Sequence, residues 1–350
     1  MKVRIEVPPN SSILSSMLYE GLLFIKSECD DDVDPECLKK LWDKKHIDFN
    51  FVRNDIKYEK VRNFNELIER MKKDIPQDLE IYVHVDTKSL KVLVGSKSFI
   101  KNKERMRKDH HSFQIMKVDR YKGITSTELD LTDKQVTVWA DSGGVYIFFL
   151  GLVSAYVTAI RGKGIDDYYF LFFDTSELPF KLRNPKNWMV IKENVTNELR
   201  EVLNKMRSMV DEAIALSVLL NSYVIESIKE QNVMFTNLRL VKISRERDTY
   251  KVYNDMPLSI FTTQKIYMSK GTVENLQKIF KKLIDSASRF INGTDRKGDG
   301  YHAYIALRYL YNFIVTSSNY YLEGFYREIH EANRANPDGD YLLWVSKRLI

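Results

Sequence analysis

A stretch of 19 residues without a charged side chain, 142–160, constrains the fold more than any other part of the sequence. Its length would suit a membrane-spanning helix, and Arg161 and Lys163 follow it as flanking charges would. However, glycines and hydroxyl side chains dilute its hydrophobicity, and a single span at mid-chain would leave a large charged body on each side. We therefore expect a helix that is buried in the core of a large domain.

The composition is that of a globular protein. Its 350 residues suffice for two domains or one large α+β body, and 44% apolar with 29% charged residues excludes a disordered chain. The two cysteines, Cys29 and Cys37, are too few for a zinc quartet or a disulfide framework, which favours a reducing, cytoplasmic compartment. The N-terminal residues lack the apolar core of a signal peptide.

The hydrophobic periodicity changes along the chain. Between residues 79 and 94 apolar side chains alternate with others, which predicts two antiparallel strands joined by a turn. Further strands are predicted at 113–118, 136–140, 168–173 and 188–191. Residues 194–231 contain neither glycine nor proline and keep helical spacing, which predicts one long helix or two stacked helices. Residues 272–291 predict the clearest amphipathic helix.

These patterns predict an α+β fold in two parts. Residues 1–192 would form a mixed domain with a β-sheet, helices and a basic loop at 97–111. Residues 193–350 would form a helical bundle that is interrupted by a β-hairpin at 237–253.

Few motifs point to catalysis. Asp109, His110 and His111 resemble the name-giving triplet of one phosphoesterase family, but no ordered set of further Asp and His ligands supplies a two-metal site. We keep a metal-dependent nuclease centred on this triplet as an alternative hypothesis. Ser154 lacks the following glycine of a nucleophile elbow, which favours helix packing. The sequence predicts no catalytic residue, no metal site and no cofactor.

The densest run of one charge sign lies at 97–108, where Glu104 is the one acidic residue. Its cations are Lys97, Lys101, Lys103, Arg105, Arg107 and Lys108. Such a run repels itself and suits the phosphate backbone of a nucleic acid, whereas the alternative interpretation is a solvated loop between strands. The net charge of +6 permits a nucleic-acid partner but does not require one.

Two shorter segments offer further cations. Arg245 and Arg247 lie at the tip of the predicted hairpin, and Arg296 and Lys297 lie in a glycine-containing segment, 293–300, that predicts a flexible loop between two helices. We include these four residues with the basic run as candidate nucleic-acid-binding residues.

Tyrosines are concentrated near the C-terminal end, with Arg308 and Arg327 between them. They are Tyr301, Tyr304, Tyr309, Tyr311, Tyr320, Tyr321 and Tyr326. Tyrosine and arginine together can form a stacking surface for unpaired bases. Tyrosines at mixed helical positions more often pack with buried rings and with hydroxyls at the rim, and we favour that interpretation.

Three parts of the sequence are distinctive when taken together: IEVPPNSSILSSMLYEGLLFI, WADSGGVYIFFLGLVSAYVTAIRGKG and the helical, tyrosine-rich end. In these parts the chain resembles the large subunit of the archaeal type I-A CRISPR Cascade. The resemblance covers most of the chain in length, domain order and overall texture. It implies a mixed N-terminal domain followed by a helical bundle.

The resemblance also implies a non-catalytic role. Such subunits bind at the end of a backbone of crRNA-bound Cascade proteins and contact the protospacer-adjacent motif of target DNA. They help to open the duplex, stabilise the displaced strand and present the target to the helicase and nuclease of the system. The resemblance does not assign a role to any specific residue of this chain. We therefore expect a cytoplasmic, DNA-binding subunit without membrane contact, and the alternatives are the nuclease or a structural assembly protein that does not contact nucleic acid.

Overall fold

The computed structural model describes most of the chain, in several ranges. They are residues 3–6, 12–29, 35–41, 66, 69, 72–73, 79–86, 91–101, 111–121, 137–162, 165–246, 249–261, 270–343 and 345. The α+β fold class is confirmed, because β-sheets and helices occupy the N-terminal part, and helices with one β-hairpin occupy the C-terminal part.

The chain divides into two compact units. The first contains Met1–Met189 and Leu238–Pro257, and the second contains Val190–Asn237 and Leu258–Ile350. The sequence prediction placed the boundary at residue 192 and assigned the hairpin at 237–253 to the helical bundle. That assignment needs correction, because most of the hairpin belongs to the first unit.

The described part of the first unit is built on two four-stranded sheets. Its elements up to residue 181 are β1 (Val3–Glu6), α1 (Ile13–Cys29), α2 (Pro35–Leu41), β2 (Leu79–Asp86), β3 (Lys91–Gly95), α3 (Lys97–Lys101), β4 (Thr137–Ala140), α4 (Ser142–Ala155), β5 (Tyr156–Arg161), β6 (Ile165–Phe173) and α5 (Leu178–Lys181). In the first sheet, β1 is parallel to β2, β2 is antiparallel to β3, and β3 is parallel to β4. The predicted antiparallel pair at 79–94 is confirmed, since Asp86 pairs with Lys91 and Val83 pairs with Val94. The strand predicted at 136–140 is confirmed as β4, whereas the strand predicted at 113–118 is wrong, because Gln114–Tyr121 form a 3-10 helix.

The hairpin completes the second sheet. Its strands are β7 (Phe235–Glu246) and β8 (Thr249–Phe261), and the strand order is β5-β6-β7-β8. Residues 168–173 of β6 are all buried, and Leu238, Leu240 and Val241 of β7 are buried too. A strand that is buried on both faces needs a partner along each edge to satisfy its backbone groups. Because β7 is that partner, the hairpin belongs to the first unit.

The uncharged stretch forms a helix and a strand. Helix α4 ends at Ala155, and the following residues begin β5. The expectation of a buried helix is confirmed for residues 143–155, which are all buried. Of the helices that the structure describes, none is long and apolar enough to cross a membrane.

Helices α1 and α4 pack with their backbones in contact. A Cβ atom added at Gly151 would lie 1.8 Å from the carbonyl oxygen of Met17, and one at Gly21 would lie 2.3 Å from that of Ile147. Only glycine permits so close an approach. Beside this crossing the hydroxyl of Ser154 donates a 2.7 Å hydrogen bond to the buried carboxylate of Glu20, so the predicted packing role of Ser154 is confirmed.

The two cysteines form a disulfide bond. Cys29 ends α1 and Cys37 lies in α2, with their Cα atoms 5.8 Å apart. The prediction of a reducing compartment rested on these two residues being outside any disulfide framework, and the bond removes that support. Intracellular proteins of hyperthermophilic archaea also contain disulfides, so the bond does not identify a compartment.

The second unit is helical. Its elements are α6 (Pro185–Met206), which begins in the first unit, α7 (Asp211–Leu219), α8 (Ser222–Glu230), α9 (Lys270–Ile291), α10 (Asp299–Thr316) and α11 (Asn319–Ala335). The amphipathic helix predicted at 272–291 is confirmed as α9, whose buried residues include Leu276, Phe280 and Leu283. Helix α10 packs against both α9 and α11.

Two predictions in this region are wrong. Residues 188–191 are not a strand, because they lie in α6. Residues 194–231 form parts of three helices, and the breaks occur without glycine or proline. The backbone of Arg207 takes a positive φ of 51° after α6, and the side chain of Asn221 caps α8 by accepting a hydrogen bond from the Val224 amide.

Candidate nucleic-acid interface

The predicted basic loop at 97–111 needs correction at its start, because Lys97–Lys101 form a short helix, α3. Lys97 and Lys101, the first and last residues of α3, are both exposed, whereas Phe99 and Ile100 between them are half-buried. The Lys97 ammonium lies 4.7 Å from the ring centroid of Tyr82 on β2, and a hydrogen bond with Tyr82 raises the pKa of Lys97. The first two cations of the run therefore have a defined position beside the first sheet.

The start of α3 is held by the residue that caps α4. The Ser96 amide donates a 2.8 Å hydrogen bond to Oδ2 of Asp141, and the Gly144 amide donates one of the same length to Oδ1. One carboxylate thus connects the N-terminal ends of two helices. Ser96 also accepts a hydrogen bond from the Phe99 amide at its hydroxyl, as an N-cap residue does.

Most of the basic run lies outside the described residues. This applies to Lys103, Arg105, Arg107 and Lys108, and equally to Arg247, Asp109 and His110. Their assignment to a nucleic-acid site stays a prediction from charge.

His111, the described member of the Asp-His-His triplet, has a packing position. Its backbone pairs with Ala140 through hydrogen bonds of 2.8 and 2.9 Å, and its side chain is buried. The ring stacks on Phe113 with 6.1 Å between centroids, and Nε2 lies 3.5 Å from the Ser142 hydroxyl. Among the described residues there is no group of three His, Cys, Asp or Glu side chains that could hold a metal ion.

Arg245 lies within a strand and not at a hairpin tip, because β7 continues to Glu246. It is half-buried, pairs in register with Asp166 of β6, and its guanidinium lies 6.0 Å from the ring centroid of Tyr250. The sequence prediction of a projecting cation at this position therefore needs correction, since the strand and the ring hold the side chain in place.

The loop between α9 and α10 is held by hydrogen bonds. The carboxylate of Asp295 accepts from the amides of Gly298 and Gly300 at 3.1 and 2.9 Å. Lys297 donates to Asn336 and Asp338 at 2.9 and 3.3 Å, whereas Arg296 is exposed. The loop is thus more ordered than the predicted flexible connection, and its two cations differ in their surroundings.

A buried carboxylate follows this loop, and sequence reasoning missed it. Asp299 is 0% exposed, and its Oδ2 accepts hydrogen bonds from Arg289 at 2.7 Å, from Asn336 at 3.1 Å and from the Tyr341 hydroxyl. Burial raises the pKa of Asp299, but these donors outweigh burial and lower it. Burial also raises the pKa of Tyr341, to about 12. The sequence signal was limited to an aspartate at the start of a helix.

Seven tyrosines lie on α10 and α11, and we refer to them together as the tyrosine face. Its members are Tyr301, Tyr304, Tyr309, Tyr311, Tyr320, Tyr321 and Tyr326. All seven are half-buried or exposed, and the exposed fraction reaches 47% at Tyr301 and 69% at Tyr320. The other five are half-buried, which agrees with the favoured interpretation of packed rings with hydroxyls at the rim, whereas Tyr301 and Tyr320 depart from it.

Part of the tyrosine face is preorganised around Tyr309. The Arg327 guanidinium lies 5.6 Å from the Tyr309 ring centroid, and its Nη2 donates a 3.0 Å hydrogen bond to the Tyr309 hydroxyl. On α11, Gly324 lies directly beneath this ring, since a Cβ atom there would be 2.4 Å from a ring carbon. The Tyr309 centroid is 6.5 Å from that of Tyr321, which in turn is 5.3 Å from that of Tyr320.

A second aromatic group lies where α9 ends and α10 begins. The ring centroid of Phe290 is 5.3 Å from that of Tyr301 and 5.8 Å from that of Tyr304. Next to it, His302 Nδ1 lies 2.9 Å from a carboxylate oxygen of Glu328 on α11. Rings at this separation, in edge or tilted contact, hold one another in defined orientations.

Comparisons with known proteins identify no function. An uncharacterized protein of Archaeoglobus fulgidus is 25% identical to this chain, over 95% of the chain and 93% of its own length. No family model and no solved structure matches the chain.

Proposed function

We propose that this protein is the non-catalytic, DNA-binding large subunit of a type I-A CRISPR Cascade. The observation that carries the DNA-binding part is the position of Lys97 and Lys101, which are exposed on a helix that Asp141 and Tyr82 hold beside the first sheet. A cationic run that starts from such an anchor can follow a phosphate backbone. The remaining support is the resemblance in the sequence.

In this role the protein would bind crRNA-bound Cascade backbone subunits, contact target DNA near the protospacer-adjacent motif, and help to recruit the helicase and nuclease. It would act in the cytoplasm, where the target DNA is. This role requires a cationic surface for DNA and a second surface for protein partners. Base pairing with the guide RNA reads the target sequence, and the nuclease cleaves the DNA, so the subunit itself needs no nucleophile or general base.

The salt dependence of DNA binding tests this proposal. A variant in which Lys101, Lys103, Arg105 and Arg107 are all changed to glutamate should bind labelled duplex DNA more weakly. The slope of log K against log salt should also become less steep, by about 3 to 4 for four lost phosphate contacts. Changing Lys39 and Lys40 on α2 to glutamate provides a control with two reversed charges in the same unit.

Unchanged binding by the quadruple variant would remove the site assignment. Absence of DNA binding by the wild-type protein at low salt, alone and with its backbone subunits, would contradict the proposal and support a structural assembly role. Cleavage of DNA by the purified protein with manganese, lost on changing Asp109, His110 and His111 to alanine, would contradict the non-catalytic part.

A further inference from the structure

We propose that the tyrosine face of α10 and α11 binds unpaired nucleobases by stacking. This inference rests on the proposed DNA-binding function and deepens it, because it identifies single-stranded DNA as the ligand of one surface. Duplex and single strands share a phosphate backbone, but only an unpaired, unstacked base offers its flat face to a protein ring.

The exposure of the rings is the first argument. Tyr301 and Tyr320 are 47% and 69% exposed on described helices whose other faces are buried. Along α10, Tyr301, Tyr304, Arg308, Tyr311 and Val315 follow one another at steps of three and four residues, so they share one side of the helix. Arg308 in this row donates a 2.8 Å hydrogen bond to Glu212 of α7, so the tyrosines are the candidate ligand contacts of the row. This row is about 21 Å long at 1.5 Å per residue, and its linear form suits an extended strand.

The arrangement of Tyr309 is the second argument. The close fit of its ring over Gly324 and the hydrogen bond from Arg327 fix the ring before any ligand binds. A ring that is already ordered loses little conformational entropy on binding. The Arg327 side chain is 63% exposed, and its Nε also donates a 3.2 Å hydrogen bond to Glu328, so the guanidinium is held in place beside the Tyr309 ring.

The chemistry of the surface favours nucleic acid over a protein partner. In α10 and α11 the exposed large hydrophobic side chains are Tyr301, Tyr320 and one aliphatic residue, Val315. The apolar core of a protein interface would contain more aliphatic area. The surface also carries acidic residues, among them Glu323 and Glu331, so ring stacking and not net charge must supply the affinity.

Variants of the two most exposed rings test the inference. The probe is a fluorescein-labelled, 20-nucleotide single strand of mixed sequence, together with the same sequence as a duplex. Changing Tyr301 and Tyr320 together to alanine should weaken single-strand binding about tenfold or more, because stacking contributes about 1–3 kcal/mol per base. Changing both to phenylalanine should retain the affinity within about threefold. The salt slope should stay unchanged in both variants, since no phosphate contact is lost.

The matched control changes Tyr223 and Tyr253 to alanine. These tyrosines are 55% and 53% exposed on α8 and β8, so the control removes equally accessible rings elsewhere. It should bind the single strand like the wild-type protein. Circular dichroism of all variants checks that the helices are intact.

The outcomes separate this inference from the proposed function. If the wild-type protein binds DNA and the alanine variant binds the single strand equally well, the stacking surface is refuted and the function stands. Equal losses for single strand and duplex, or an equal loss in the phenylalanine variant, would also refute stacking of bases. If the alanine variant loses a protein partner and keeps its DNA affinity, the surface belongs to that partner. If the wild-type protein binds neither form of DNA, both proposals fail.

Discussion

Arg289 donates a hydrogen bond of 2.7 Å from Nη2 to Oδ2 of Asp299, a carboxylate that is completely buried. Asn336 and Tyr341 donate to the same oxygen, and the Tyr341 hydroxyl also contacts that of Ser286. These donors come from α9 and from the segment after α11. One side chain at the start of α10 therefore connects three parts of the second unit.

Changing Asp299 to asparagine should destabilise the second unit by about 3 kcal/mol at pH 7, because it leaves a partly buried guanidinium without its carboxylate. The pKa of Asp299 is lowered in the folded protein, so its contribution to stability is present above the ordinary value of 3.8 and is lost as the pH falls below it. Urea unfolding at pH 7 and pH 3 measures both effects. The gap between variant and wild type should narrow at the lower pH.

Asp338 provides the control for that experiment. Its side chain is 89% exposed and contacts Lys297 at 3.3 Å, so changing it to asparagine should alter the unfolding free energy by less than about 0.5 kcal/mol. Equal effects of the two substitutions would contradict the role of the buried carboxylate.

Changing Gly151 to alanine should separate α1 from α4. The new Cβ atom would lie 1.8 Å from a backbone oxygen, which cannot move without the helix that carries it. We expect a loss of about 3 kcal/mol or more, at the upper end for an overpacked core, measured as a lower urea midpoint. Changing Lys40, which is exposed on α2, to alanine should leave the midpoint unchanged. A wild-type midpoint for the glycine variant would show that the two backbones are not in contact.

Lys181 is buried between aromatic rings and pairs with Glu177. Its ammonium lies 4.8 Å from the ring centroid of Phe173 and 4.7 Å from that of Trp188. Changing Glu177 to glutamine alone should cost about 3 kcal/mol, because an unpaired ammonium stays buried. Combining it with Lys181→Met should restore stability to within about 1 kcal/mol of wild type. Urea unfolding of both variants, followed by circular dichroism, tests this expectation.

The same lysine predicts a dependence on alkaline pH. Burial lowers the pKa of Lys181, so the unfolded chain binds more protons than the folded protein just below the ordinary value of 10.5. Wild-type stability should therefore rise with pH through that window relative to the double variant, whose position 181 does not titrate. Parallel curves for the two proteins between pH 8 and 10.5 would argue that the ammonium is not desolvated.

Reduction of the Cys29–Cys37 bond should release α2 from the end of α1. The bond closes a loop with a sequence separation of 8, for which chain-entropy arguments give about 2.5 kcal/mol. Unfolding with and without reductant measures the difference, and a variant with both cysteines changed to serine should not respond to reductant. Free thiols in the untreated protein, detected by alkylation and mass spectrometry, would disprove the bond.

Local patterns predicted the elements whose burial is regular. The alternation at 79–94 gave the β2–β3 pair, and the spacing at 272–291 gave α9, because one face of each is buried. The strand prediction at 188–191 was wrong, although the short apolar run suggested a strand. Trp188 and Ile191 are three residues apart and both are buried, which is the spacing of a helix and fits α6. The assignment of the hairpin failed because the pairing of β6 with β7 joins residues far apart in the sequence.

The sequence predicted which types of residue form the candidate site, but not the contacts and burial of their side chains. Charge alone grouped Arg296 with Lys297, yet Asn336 and Asp338 contact only the second of these cations among the described residues. The tyrosine count could not show whether the rings are exposed, because that depends on which side of α10 packs against α9 and α11. The sequence around Asp299 did not show that its carboxylate is buried and hydrogen-bonded, because its partners Arg289 and Asn336 lie ten or more residues away in the sequence.

The pairing of β6 with β7 also affects how the protein is synthesised. A nascent chain that has emerged only as far as residue 189 exposes one edge of β6, along the apolar side chains of Phe170 and Phe172. An unpaired apolar edge favours association with other chains, so the ribosome must translate α6, α7 and α8 before the first unit can close. An expression fragment that stops near residue 192 should consequently aggregate, and one that extends past residue 257 would contain every described strand that the second sheet requires.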